Sequence, residues 1–154
     1  ISGGSSVGTR DYTAKVINSF KGKGIFIHGM AIKPGKPTIV GEGEGKAIFG
    51  LPGHPVSSIV VFKTLVEFFI KEKMGIKDYV LKTRAVLDFN CHSAPGKKTY
   101  QMVRLREIDG ILYATPNYGK SGMITLLSNS DGYIILEPHE EGAYKGEERE
   151  VYLI

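Results

Sequence analysis

Gly50-Leu51-Pro52-Gly53-His54-Pro55-Val56-Ser57 decides how the chain is read, because it ends a strand and opens a helix in one short stretch. Pro55 suits the first helical position, where the missing N–H costs nothing, and Gly75 marks the far end beyond Met74. Lys63, Glu67 and Lys71 fall four apart on one wet stripe with alternating charge. Val60, Val61, Phe62, Leu65, Val66, Phe68, Phe69 and Ile70 cover most of the remaining surface, which predicts a helix sandwiched between layers. Pro52-Gly53 predicts a tight turn that feeds this helix and aims backbone N–H groups at a ligand. His54 reads either as a cap-position residue without chemistry or as a catalytic imidazole.

Upstream, residues 25–27, 38–40 and 46–49 have strand character, and Gly41-Glu42-Gly43-Glu44-Gly45 reads as the hairpin turn between the last two. In residues 11–20, Tyr12, Val16, Ile17 and Phe20 keep helical spacing, and Gly22 stops the helix. Ile1 reads as the last residue of a strand that begins earlier. Between it and the helix lies Ser2-Gly3-Gly4-Ser5-Ser6-Val7-Gly8, a loop placed to bind an anion at a helix start, or else a plain turn. It is no Walker A loop, since Thr9 follows Gly8, and no GxGxxG. Asp11 is either a first-turn acid favoured by the helix dipole or a carboxylate beside the anion site, where it could hold a metal. In Met30-Ala31-Ile32-Lys33-Pro34-Gly35-Lys36-Pro37, Pro-Gly predicts a type II turn with Lys33 and Lys36 at its ends, under about 7 Å apart at Cα. Two ammonium groups held so close want an anion between them, unless both point apart into water.

Downstream, residues 84–89, 99–106, 111–115, 133–137 and 148–153 are β-branched or aromatic, and Asp109-Gly110 is a strong hairpin signal. This half predicts a small barrel or sandwich, with Ser121 capping a short helical stretch through Leu127. Tyr12, Tyr100, Tyr113, Tyr133 and Tyr152 sit at helix or strand periodicity and read as core. A linker near residues 77–82 gives two units, 1–80 and 81–154.

The 154 residues are 42% hydrophobic and 23% charged, which excludes global disorder. With Cys91 as the sole cysteine no internal disulfide forms, which favours a reducing, cytoplasmic setting. No apolar run approaches the roughly 18–20 residues of a membrane helix. A chain that begins at Ile1 rather than Met is expected to be a fragment or a processed form. Residues 1–82 carry 12 Lys and Arg against 6 Asp and Glu, whereas 83–154 carry 8 against 10. The basic half suggests an anionic partner, and charge gathered at turns argues against nucleic acid. His28, His54, His92 and His139 form no ligand motif, and there is no GxSxG or HExxH.

Three motifs together, Ser2-Gly3-Gly4-Ser5-Ser6-Val7-Gly8 with Asp11-Tyr12, Lys33-Pro34-Gly35-Lys36-Pro37, and Gly50 to Ser57, resemble the MoeA/gephyrin E-domain family of molybdopterin molybdenumtransferases. Ser121-Gly122-Met123, Asp131-Gly132-Tyr133 and Gly146-Glu147 resemble that family's C-terminal β-barrel. The resemblance implies an α+β chain of two units. Residues 1–80 would be the C-terminal half of a three-layer α/β/α, MogA-like molybdopterin-binding domain, and 81–154 the small all-β barrel. It implies insertion of molybdate or tungstate into adenylylated molybdopterin with release of AMP, with Mg2+ as cofactor. A homodimer is implied, with the molybdopterin adenylyltransferase as a further partner, in the cytoplasm, with no nucleic acid and no membrane. Asp11, Lys33, Lys36 and Ser121 would be catalytic, Asp11 also a metal ligand. Gly3, Gly4, Ser5, Ser6, Pro52, Gly53 and Pro55 would line the cofactor site, with Ser121 reaching it from the other subunit. The sequence departs from the family at His54, where Asn is usual, and at Met102, where an arginine is expected. A non-catalytic, peptide-binding scaffold of the gephyrin type is the alternative reading.

Overall fold

In the computed structural model, which describes residues 1–3, 12–77 and 80–154, the chain divides into two units, Ile1–Lys77 and Asp78–Ile154. The first contains α1 (Tyr12–Ser19), β1 (Gly24–His28), β2 (Ile32–Lys33), β3 (Ile39–Gly43) and β4 (Lys46–Gly50). It ends in α2 (Pro55–Val61), a π-turn (Phe62–Val66) and α3 (Glu67–Met74). The strands β1, β3 and β4 form an antiparallel sheet in that order. Residues 1–3 extend it, running parallel to the end of β4 through Leu51 N–H to the Ile1 carbonyl (2.8 Å) and Gly3 N–H to the Leu51 carbonyl (3.1 Å).

Three glycines set how closely α1 lies on this sheet. A Cβ on Gly41 would sit 2.8 Å from Ile17 Cγ2 and 2.8 Å from the Gly24 carbonyl. One on Gly43 would meet Phe20 Cβ at 2.6 Å, and one on Gly50 would meet Thr13 Cγ2 at 2.9 Å. The expected five-residue turn is therefore corrected. Gly41, Glu42 and Gly43 belong to β3, and only Glu44-Gly45 turns, with φ of 53° and 75°, both positive as a type I′ turn requires. On the opposite face Phe49 meets Phe69 of α3 edge-on, centroids 5.4 Å apart. Helix, sheet and helix make three layers.

The long helix is not sandwiched as its composition predicts. It buries Val56, Val60 and Val61, while Ile59, Phe62, Phe68 and Ile70 are 39%, 44%, 50% and 43% exposed. Among the described residues, the layers cover one stripe of it. Glu67 pairs with Lys71 at 2.8 Å and Lys63 at 3.9 Å along the predicted stripe. Gly75, at φ 66°, closes α3, with Ile76 N–H reaching the Lys71 carbonyl at 3.0 Å.

The second unit contains β5 (Lys82–Leu87), β6 (Cys91–His92), β7 (Lys98–Ile108), β8 (Ile111–Pro116), α4 (Ile124–Ser128), β9 (Gly132–Leu136), β10 (Gly142–Ala143) and β11 (Glu148–Leu153). Five strands in the order β7-β8-β5-β11-β9 close into a barrel through a β7–β9 ladder, and β6 with β10 forms a separate short pair. Closure leaves the barrel without a free edge. Ala85, Leu87, Val103, Ala114, Ile134, Leu136 and Val151 fill it, with Cys91 and Ala143 packed against them. Burial pushes the Cys91 thiol up, as suits a small apolar core residue. Asp109-Gly110 forms the β7–β8 turn with φ of 51° and 78°.

Tyr100 and Tyr133 are buried and Tyr152 half-buried, Tyr133 stacking on Tyr152 with centroids 5.4 Å apart. Tyr12 departs from the expected core set and is exposed. Ser121 is not a helix cap. The N-cap of α4 is Met123, with no side-chain capping bond.

Candidate functional site

The site-bearing segments of the first unit are gathered by close backbone contacts. Gly3 has φ 91°, and its carbonyl accepts the Thr13 hydroxyl at 2.8 Å. A Cβ on Gly53 would lie 3.5 Å from Gly3 Cα, so two glycines fifty residues apart meet at the start of α2. Pro52 is buried behind this contact and Pro55 opens the helix. The first turn of a helix leaves N–H groups without intrahelical acceptors and carries the positive dipole end, so this corner is suited to an anionic group. Gly53 stays outside the left-handed region, so the segment bends without the tight turn that Pro-Gly predicts. His54 occupies the N-cap with φ −78° and ψ 126° and makes no side-chain capping bond, while its carbonyl accepts Ser58 N–H at 2.9 Å.

Lys33 and Lys36 are both exposed at the two ends of one bend. The bend is not the type II turn expected. The Lys33–Pro34 peptide is cis and Gly35 has φ 121°. Met30 N–H donates to the Lys36 carbonyl at 2.9 Å, and the buried Thr38 hydroxyl donates to the Gly35 carbonyl at 2.7 Å. A Cβ on Gly35 would lie 2.7 Å from Ile32 Cδ1 and 2.8 Å from Val61 Cγ2, so the bend is pressed onto α2. Val61 stands six residues past Pro55, roughly 9 Å along the helix axis. One helix thus seats the lysine bend and, about two turns earlier, the meeting of Gly3 and Gly53.

Gly4, Ser5, Ser6 and Asp11 lie outside the described residues. Among the described residues no group of three or more His, Cys, Asp or Glu side chains could hold a metal, so they do not by themselves fit a magnesium site. No helix among them is long and apolar enough to cross a membrane.

In the second unit Ser121 is half-buried in the segment joining β8 to α4. Met102 is 3% exposed and packs inward, whereas Arg104 is exposed and reaches Asn129 Oδ1 at 3.4 Å. Sequence reasoning passed over Thr13, whose hydroxyl fixes Gly3, and Asn117, whose carboxamide bonds Ser130 Oγ at 3.0 Å. Neither carried a motif. A threonine one turn after a glycine loop was the only available signal, and it is a weak one.

Residues 84–154 match the family of the MoeA C-terminal region (domain IV), and residues 1–72 match the family described as "Probable molybdopterin binding domain". A molybdopterin biosynthesis protein of Methanocaldococcus jannaschii is 35% identical, over all of this chain and 35% of its own length. A molybdopterin molybdenumtransferase of Haemophilus influenzae is 31% identical, over 95% of this chain and 37% of its own. Among solved structures, a molybdopterin biosynthesis MoeA protein from Pyrococcus horikoshii superposes with a TM-score of 0.80 at 35% identity, over 99% of this chain and 36% of that one. A molybdenum cofactor biosynthesis protein from Pyrococcus furiosus gives 0.69 at 32% identity, over 86% and 46%. The chain spans about a third of the length of the curated relatives it matches. Both units are thus matched in the order in which they occur in this chain, and over nearly its whole length the chain is similar to MoeA proteins of molybdenum cofactor biosynthesis.

Proposed function

We propose that this chain is the C-terminal part of a molybdopterin molybdenumtransferase. In this reading the enzyme splits adenylylated molybdopterin, inserts molybdate or tungstate into its dithiolene, and releases AMP. The observation that carries the reading is the seating of the Lys33–Lys36 bend on α2, the helix whose first turn meets Gly3 and Gly53. Two ammonium groups suit a doubly charged tetrahedral oxyanion, and unpaired N–H groups at a helix start suit a phosphate. Lys33 and Lys36 would hold molybdate or the pterin phosphate. Gly3, Gly4, Ser5 and Ser6, with Pro52, Gly53 and Pro55, would shape the wall against which the pterin and phosphate lie.

Asp11 would be the acid of this cleft and the point where Mg2+ is held. Ser121 would reach the cleft from the second subunit of a homodimer. A cytoplasmic adenylyltransferase would supply the adenylylated substrate.

The test is AMP release from adenylylated molybdopterin, with and without molybdate, by the full-length protein and by the 154-residue chain. Molybdate-dependent release by the full-length protein only is expected. Full turnover by the short chain would contradict its being a part of the enzyme. Peptide binding indifferent to Lys36→Ala, with no AMP release from the full-length protein, would favour a scaffold instead.

A further inference from the structure

We propose that Asn117 is a positioning residue that locks the neck of the loop carrying Ser121; the functional half of this rests on the reading of Ser121 given above. The loop leaves β8 after Pro116 and returns at Gly132, with α4 inside it. Both of its ends hang on one strand, β7. Asn117 N–H donates to the Met102 carbonyl at 2.7 Å and Asp131 N–H to the Val103 carbonyl at 3.0 Å. The Asp131 carboxylate accepts Leu105 N–H at 2.8 Å, and Gln101 donates its amide to the Asn117 carbonyl at 3.0 Å.

Across the neck, the Asn117 side-chain NH2 donates to Ser130 Oγ at 3.0 Å and to the Asn129 carbonyl at 3.0 Å, with the Leu126 carbonyl at 3.5 Å. Ser130 passes the connection on, its hydroxyl donating to the Leu126 carbonyl at 2.6 Å. An amide has two protons, so both donors of Asn117 are engaged in closing the neck.

Beyond the neck, the Tyr118 hydroxyl donates to the Asn90 carbonyl at 3.1 Å and Arg104 reaches Asn129 Oδ1 at 3.4 Å. Met123 and Ile124 are 50% and 64% exposed, and Leu126 is the buried apolar anchor of α4. The barrel core of Ala85, Val103, Ile134 and Val151 includes no residue of the loop. A loop held by polar bonds, outside the core, adds little to the stability of the barrel but fixes where Ser121 stands relative to β7 and Arg104. Catalytic geometry is sensitive to displacements of an ångström or less, which gives such a pin its use.

The variant Asn117→Asp keeps the size of the side chain and replaces two donors by a charged acceptor facing carbonyl and hydroxyl oxygens. In the 154-residue chain, amide exchange at residues 118–131 should speed up roughly tenfold or more while β5, β7 and β11 keep their protection. In the full-length protein, kcat for AMP release should fall roughly 10–100-fold with KM unchanged within about twofold. Both defects should shrink as the pH is lowered toward the ordinary Asp range, because a protonated carboxyl donates again. A neck role without positioning would leave kcat and its pH profile untouched.

Ser130→Ala, which spares the Asn117 bond to Asn129, should shift loop exchange in the same direction by less. Should Asn117→Asp fail to fold, this second variant decides, and unchanged loop exchange in it overturns the proposal. Loop exchange unaffected by Asn117→Asp overturns it, as does a loosened loop with normal kcat where Ser121→Ala lowers kcat. If Ser121→Ala itself leaves kcat intact, the functional reading of Ser121 falls and the positioning role falls with it. Loop exchange loosened by Asn117→Asp then still supports the neck.

Discussion

Replacing Gly35 by alanine perturbs the junction on which the proposed site depends. The added Cβ would stand 2.7 Å from Ile32 Cδ1 and 2.8 Å from Val61 Cγ2, both well inside contact distance. It would also force an L side chain to φ 121°. The backbone strain costs about 1–3 kcal/mol and overpacking at a tight position about 1–3 kcal/mol, so a loss of roughly 2–6 kcal/mol is expected from the first unit. A double-mutant cycle separates the two causes. Val61→Ala removes the obstacle on α2 and leaves the one on β2, at a cost of about 1.5 kcal/mol for two methyl groups. In that background Gly35→Ala should cost about 1–2 kcal/mol less than alone, because part of the clash is gone and only φ strain and Ile32 remain. Urea unfolding followed by circular dichroism, with amide exchange in residues 12–77 to assign the loss to the first unit, measures all four corners. A loss below about 0.5 kcal/mol, a level typical of an uninvolved surface site, would refute the close seating of the lysine bend on α2. An additive cycle would refute the role given to Val61.

Three further outcomes follow from the same geometry. Gly41→Ala should cost about 1–3 kcal/mol by prying α1 from the sheet, since its Cβ meets the immobile Gly24 carbonyl at 2.8 Å; thermal unfolding of the variant checks it. The Glu42 carboxyl lies below the usual carboxylate range because the Lys23 and Gly45 N–H groups donate to it at 2.9 and 2.8 Å. Its contribution is therefore complete above the ordinary carboxylate value and lost as pH falls through the lowered folded value, so Glu42→Gln should flatten stability against pH below about pH 5. In the barrel, burial pulls the Glu140 carboxyl up, but the Glu137 N–H and the Arg149 guanidinium outweigh it and hold it low. Arg149→Met should lower stability at neutral pH by leaving Glu140 and Glu147 without the guanidinium that bonds them at 2.7 and 2.8 Å, and acid should narrow the difference as Glu140 is protonated. A pH series of melting curves for both proteins decides this.

Local chemistry was read well where a short stretch determines its own conformation. Asp109-Gly110 turns as its residue types demand, Pro55 opens α2, Gly75 closes α3, and Glu67 bonds Lys71 on the expected stripe. The misreadings occur where a distant partner decides. Gly41 and Gly43 look like turn residues, yet they are glycines because Ile17 and Phe20 of another segment lie against them. The bend at Gly35 lies tight against Val61 and departs from the Pro-Gly rule, and Pro52-Gly53 lies beside Gly3. Ser121 has the type of a helix cap, but the N-cap position of α4 falls at Met123. The apolar faces of α2 and α3 were visible, but not which of them would be covered. Asn117 carried no signal, because the three oxygens it serves lie nine to thirteen residues away along the chain.

The central claim is that Lys33 and Lys36 hold an oxyanion beside the helix that meets Gly3. Steady-state AMP release by the full-length protein, titrated with molybdate, tests it for Lys33→Ala, Lys36→Ala and the double variant. Losing a charge-assisted bond of about 1.5–3 kcal/mol should raise the molybdate requirement roughly 10–100-fold for each single variant. Unaltered molybdate dependence in the double variant, with the protein folded, would contradict the claim.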